Sequence, residues 1–182
     1  EMIHLERRKG IPVTLASFRR LYPTYYWGEI NRTAREQGLD PNLILAIIRQ
    51  ESAFNEEALS GAGARGLMQV MPKTAKDMAR KVRLKRFSVK DLWRPQTSIR
   101  LGSQHLSDHL EYFRRSKDRR LGLALSAYNA GLRAASRWSR QLPSSGVDEF
   151  VESIPYRETR DYVKLVYRNY QVYSYLQGES GG

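Results

Sequence analysis

Glu51 lies four residues after Ile47 and three after Ile48, so on a continuing helix it shares their face. Leu43, Ile44, Ile47 and Ile48 make that the apolar, core-directed face. A carboxylate aimed at such packing is costly, and the usual response is a raised pKa that keeps the acid neutral near pH 7. A neutral carboxylic acid at the edge of a pocket can protonate a glycosidic oxygen. The same glutamate could instead end its helix in solvent or cap a neighbouring backbone, and position alone leaves both readings open.

Other chemistries find less support. The chain has no cysteine, which excludes disulfides, thiolate zinc sites and cysteine nucleophiles. His105 and His109 have the i, i+4 spacing of a zinc pair. They lack the intervening glutamate of a His-Glu-x-x-His site, and no third ligand suggests itself, so neither a metal nor any other cofactor is expected. With 31 Lys+Arg against 19 Asp+Glu, the net charge of +12 favours polyanions: nucleic acid, anionic lipid or an acidic cell-wall polymer. Three basic runs carry much of it, Arg7-Arg8-Lys9, Arg80 to Arg86 and Arg114 to Arg120, and each could equally be a solvated helix face.

The elements that must position Glu51 read as helices throughout, with no sustained strand-like alternation. At 182 residues the chain fits one ordinary domain, and no apolar run approaches the roughly 18 residues that span a bilayer. Amphipathic segments cover Thr14 to Leu21 and Trp27 to Gln37, the second ending at Gly38 as a C-cap. Asp40-Pro41 supplies an N-cap and a first-turn proline for the helix of Glu51, whose exit falls near Phe54-Asn55. Ser60 to Gly66 holds three glycines and must be a loop needing φ freedom or a close approach. Helices then run from Pro72 to about Val82 and from Pro95 to about Arg115. Shorter ones cover Leu121 to Asn129, Leu132 to Arg140 and Val147 to Ser153, and a long one covers Glu158 to Leu176. The expected fold is a compact all-α domain of roughly eight helices, with residues 1–21 an N-terminal helical extension and 22–178 the functional domain.

Several segments recur in order: Gln50-Glu51-Ser52, the glycine-rich loop, Gly66-Leu67-Met68-Gln69-Val70-Met71-Pro72, Ala127-Tyr128-Asn129-Ala130-Gly131, and Ser153-Ile154-Pro155-Tyr156-Arg157-Glu158-Thr159-Arg160. On these the chain resembles the catalytic domain of the soluble lytic transglycosylases, a branch of the goose-type lysozyme superfamily, from about Tyr22 to Leu176. The resemblance implies a lysozyme-like fold. It also implies cleavage of the β-1,4 bond between N-acetylmuramic acid and N-acetylglucosamine in peptidoglycan, leaving 1,6-anhydro ends. By the same resemblance Glu51 is the sole catalytic acid/base. Ser60 faces the scissile region, Gln69 and Met71 line the glycan groove, Tyr128 and Asn129 stand near the reacting sugar, and Glu158 shapes the site. Tyr162 is a weaker match. A monomer working in the periplasm or cell envelope is implied, exported by a signal outside this stretch, with contact to an anionic wall or membrane surface.

Each of these residues also has a plainer reading. Tyr128 and Met71 could be core filler, Asn129 a helix C-terminal residue, and Gln69 a partner for loop backbone. Glu158 at a helix start favours the macrodipole, and Arg157 or Arg160 could pair with it. Two departures from the family pattern stand out. Leu132-Arg133 follows the Tyr-Asn-Ala-Gly motif where Pro-Gly or similar is usual. Arg94 and Ser98 replace an aspartate and an asparagine, which bears on the capping of the Pro95 helix and on one groove wall. The same acid also suits a lysozyme that uses water. A basic helical nucleic-acid binder is the reading from another class, and it leaves Glu51, the glycine-rich loop and Tyr128-Asn129 without a purpose.

Overall fold

The computed structural model describes residues 15–142 and 146–178. The Arg7-Arg8-Lys9 run, Thr14 and residues 143–145 lie outside them. Among the described residues are nine α-helices and two short 3-10 turns, one helix more than the rough count expected from sequence, and no strand beyond isolated bridges. No described helix is long and apolar enough to cross a membrane.

Helix α1 (Leu15–Leu21) packs Phe18 and Leu21 onto the core, and the Arg49 guanidinium donates to the Leu21 carbonyl. Helix α2 (Trp27–Gln37) closes at Gly38 in the left-handed conformation, at φ 65°. Helix α3 (Pro41–Ser52) starts as its sequence dictates: the Asp40 side chain accepts from the Asn42 amide at 2.8 Å, with Pro41 in the first turn. Its residues Ile44 to Ile48 are completely buried. Each of the isoleucines and Leu45 contributes about 1.5–3 kcal/mol by leaving water, so the helix carrying Glu51 has little freedom to roll.

Helix α4 (Pro72–Lys81) and a 3-10 turn at Val89–Trp93 lead into α5 (Pro95–Tyr112). Then follow α6 (Arg120–Ala130), α7 (Leu132–Gln141), α8 (Val147–Glu152) and α9 (Arg157–Gly178). Helix α9 lies along α3 and buries Tyr162, Val163, Val166 and Tyr173 against it. Tyr22 and Tyr173 meet edge to face at 5.3 Å, and the Tyr170 hydroxyl donates to Asp40 Oδ2 at 2.6 Å, which fixes α9 along its length. Helix α5 runs across α2, α4 and α6, forming the floor under the loop that follows Glu51.

The α3 exit differs from expectation. The helix stops at Ser52, and Ala53 and Phe54 both adopt left-handed backbone, at φ 49° and 68°. Sequence rules look for glycine or asparagine there, so the expected exit near Phe54-Asn55 fell two residues late. Each such residue stores on the order of 1–3 kcal/mol of strain, held by the packing around it.

Candidate active site

Helix α3 brings Glu51 to the boundary between core and surface, one turn beyond the fully buried Ile47 and Ile48. The Tyr162 hydroxyl, on α9, donates to Glu51 Oε1 at 2.7 Å. Burial raises the Glu51 pKa to about 7, and the Tyr162 bond, which favours the charged form, offsets part of that rise. No neighbouring charge contributes. The Tyr128 hydroxyl is buried close enough for Glu51 to add to the rise in its own pKa. Glu51 is therefore a half-neutral acid near pH 7, oriented by one phenol and flanked by another.

The loop after α3 returns to Glu51 through close backbone contacts. The Ser52 hydroxyl donates to the Leu67 carbonyl at 2.9 Å. Gly66, at φ 74°, sits so near the 3-10 turn that a Cβ would stand 2.0 Å from the Leu92 carbonyl oxygen, so only glycine fits. Gly102 on α5 is as demanding: a Cβ there would stand 2.5 Å from that of Met68. The Met68 peptide is held on both sides, its N–H donating to Ser98 Oγ at 3.1 Å and its carbonyl accepting from Tyr128 at 2.8 Å. Ser98 is fully buried and holds the backbone of Met68, the residue before Gln69, rather than capping its own helix. Arg94, the other departure, gives α5 no side-chain cap and pairs with Asp91 at 3.4 Å.

A groove of about 760 Å³ opens beside this wall. Gln69, Met71, Tyr128 and Asn129 line it, and Met71 is 42% exposed. Glu51 and Tyr162 are not part of its lining; Tyr128 joins the groove to their side of the site. Gln69 has left-handed backbone and spends its amide nitrogen on the Ala58 and Gly66 carbonyls, at 3.0 and 2.9 Å. The loop-bracing reading of that amide is the observed one, which leaves Oε1 to face other partners. Asn129 Oδ1 accepts from the Thr159 hydroxyl at 2.7 Å, tying α6 to α9.

Two expected site residues stand outside the lining of this groove. The Ser60 hydroxyl accepts from the Ala64 amide at 3.0 Å and braces its own loop. Glu158 is exposed in the first turn of α9. Neither arginine pairs with it: Arg157 reaches Asp161 at 3.7 Å, the i, i+4 neighbour, and Arg160 donates to the Ile154 carbonyl at 3.1 Å. Tyr162, the weakest match on sequence, is the direct partner of Glu51. The family resemblance had marked it only weakly, and its bond to Glu51 spans 111 residues, with its place on the buried face of α9 beside Val166 as the other signal.

Residues 29–151 match the family model described as the transglycosylase SLT domain. The chain belongs to that family. It is 39% identical over 158 residues to the putative soluble lytic murein transglycosylase of Haemophilus influenzae, covering 86% of this chain and 26% of the relative. It is 34% identical to the soluble lytic murein transglycosylase of Escherichia coli K12, over 87% of this chain and 24% of the relative. This SLT domain therefore spans about a quarter of the length of these curated relatives. Among solved structures it superposes on an inactive glutamate-to-glutamine mutant of the lytic transglycosylase Slt of Pseudomonas aeruginosa with a TM-score of 0.77, at 39% identity, over 84% of this chain and 24% of that one. On a complex of the 70 kDa soluble lytic transglycosylase with bulgecin A, the TM-score is 0.80 at 34% identity, over 88% of this chain and 26% of that one. The all-α, lysozyme-like fold expected from sequence is the one these structures share.

Proposed function

We propose that this SLT domain is a peptidoglycan lytic transglycosylase with Glu51 as its one acid/base. The observation that carries the reading is the Glu51–Tyr162 pair: a carboxyl with a pKa near 7, oriented at 2.7 Å by a buried phenol and influenced by no second carboxylate. Glycosidases that rely on two carboxylates depend on the second as nucleophile or as base for water. A single acid suits a route in which the substrate supplies the nucleophile.

Glu51 gives its proton to the glycosidic oxygen as the bond from the muramoyl C1 breaks, and the 2-acetamido oxygen of the muramoyl sugar closes onto C1. The Glu51 carboxylate then takes the proton of the 6-hydroxyl, and O6 displaces the acetamido oxygen to close a 1,6-anhydro ring. Tyr162 steadies the carboxylate between the two steps. Gln69 Oε1, Met71, Tyr128 and Asn129 bind the glycan along the groove, while Ser60 and Glu158 act at its margins. Residues 22–178 form the catalytic unit, with 1–21 an extension. The domain works as a monomer in the periplasm or cell envelope, its basic surface against anionic wall or membrane. The relatives named as murein transglycosylases, and the loss of activity in the glutamate-to-glutamine mutant of the Pseudomonas enzyme, support this reading.

Digestion of purified peptidoglycan, with masses measured for the released muropeptides, tests it. Anhydro ends, each lighter by one water than the hydrolytic product, are expected. Hydrated ends throughout would overturn the transglycosylase reading in favour of a lysozyme.

A further inference from the structure

His105 and His109 line the same groove from α5, and the function proposed above uses neither. Their rings meet with Nε2 atoms 3.2 Å apart and ring centroids 4.3 Å apart. Two imidazole nitrogens bound to one tetrahedral zinc ion at about 2.0–2.1 Å stand ~3.3 Å from each other, so the pair is already set at chelating distance. We propose that His105 and His109 form a two-imidazole site for a first-row transition-metal ion, zinc or nickel, on the groove wall.

Both rings line the groove, and their Nε2 atoms face each other there. The groups facing the pair are few. Asp108 lies on the same helix and favours positive charge at both rings. Its carboxylate is engaged by Lys81 from α4 and by Gln104 at 2.9 Å. The Tyr128 ring covers His105 at 5.2 Å. No group of three or more His, Asp or Glu side chains able to hold a metal occurs among the described residues, so water completes the coordination sphere and the site is open. In the metal-free protein one Nε2–H donates to the other ring's lone pair. Binding moves that proton to Nδ1 through solvent, after which both Nε2 atoms ligate with no change in redox state.

An ion held there stands against Tyr128, in the path of any chain lying along the groove. The expectation that it impedes glycan cleavage rests on the proposed function; the binding itself does not.

Calorimetric titration of the full chain with zinc chloride, and separately with nickel chloride, should find one ion per protein. His105→Gln and His109→Gln should each weaken binding by about tenfold or more, since loss of a ligand costs no less than loss of its supporting shell. His4→Gln, at the third histidine of the chain, should bind as the wild type does. Because His109 is buried and its variant could misfold, zinc is also titrated into the wild type while the imidazole resonances are followed by NMR. Those of two histidines should shift together, and His105→Gln should abolish the paired response. Unmoved imidazoles, or equal affinity in His105→Gln and the wild type, would overturn the site. Zinc bound at this pair without slowing turnover would overturn its position in the substrate's path, and an enzyme inactive without zinc would count against the proposed function alone.

Discussion

A carboxyl group with a pKa near 7 costs the fold stability whenever it ionises. Glu51 is raised from 4.5 to about 7, a difference worth roughly 3 kcal/mol at most, less whatever water reaches its partly open side. Its folded pKa exceeds its unfolded one. The protonated form's contribution is therefore complete below about pH 4.5 and is lost as the pH rises through about 7. Glu51→Gln keeps an oxygen for Tyr162 and never ionises. Its melting temperature should match the wild type near pH 4.5 and exceed it at pH 8, by the equivalent of about 1–3 kcal/mol. The same variant should lose about a thousandfold or more in muralytic rate, while the wild-type rate falls as the pH climbs past about 7 and the acid is depleted. Equal melting at both pH values would mean that Glu51 is solvated. The buried orientation of this acid was legible in its phase relative to Ile47 and Ile48. Tyr162 was marked only as a weaker family match, and its bond to Glu51 was not legible, because an aromatic on the apolar stripe of a long helix reads as core until the tertiary fold joins α9 to α3.

At the scale of elements, the strap from Gly66 to Met71 is the part most exposed to small changes. Gly66→Ala meets the Leu92 carbonyl and an unfavourable φ together, and should cost about 3 kcal/mol or more, read as a lower denaturation midpoint with loss of activity. Ser98→Ala leaves the Met68 N–H buried without an acceptor and should cost about 1–3 kcal/mol. It should raise the apparent KM more than it lowers kcat, because the wall shifts while the acid stays. If Ser98→Ala changed neither stability nor KM, the strap would be held by other contacts. Here the sequence was half informative. Three glycines announced a loop that some backbone must approach closely, and Asp40-Pro41 and Gly38 fixed two helix ends by chemistry that acts within a turn. The end of α3 falls at two left-handed non-glycine residues that no local rule picks out, and the turning of Ser98 from cap to clamp depends on a partner 30 residues away.

At the scale of the whole molecule, charge governs encounter. Lys73, Lys76, Arg83, Lys85 and Arg86 are exposed on α4 and the loop behind it, with Lys73, Lys76 and Arg86 around a separate hollow and Thr74, Met78 and Lys81 of α4 lining the groove. A net charge of +12 should draw the domain to an anionic polymer at low salt and release it as the Debye length shrinks from about 30 Å at 0.01 M to ~10 Å at 0.1 M. Co-sedimentation with isolated sacculi should fall steeply over that range. The combined Lys73→Gln, Lys76→Gln, Lys85→Gln and Arg86→Gln protein should bind several-fold more weakly at low salt with a shallower dependence, and salt-insensitive binding would argue that shape alone recruits it.

The Met68 peptide, tied through its N–H to α5 and through its carbonyl to α6, has a mechanical meaning as well. A wall anchored to two packed helices yields only if those helices part, whereas a sugar ring distorts for a few kcal/mol. Under the proposed function, the backbone behind Gln69 acts as an anvil, and the bending that brings a glycosidic oxygen to Glu51 falls to the strand.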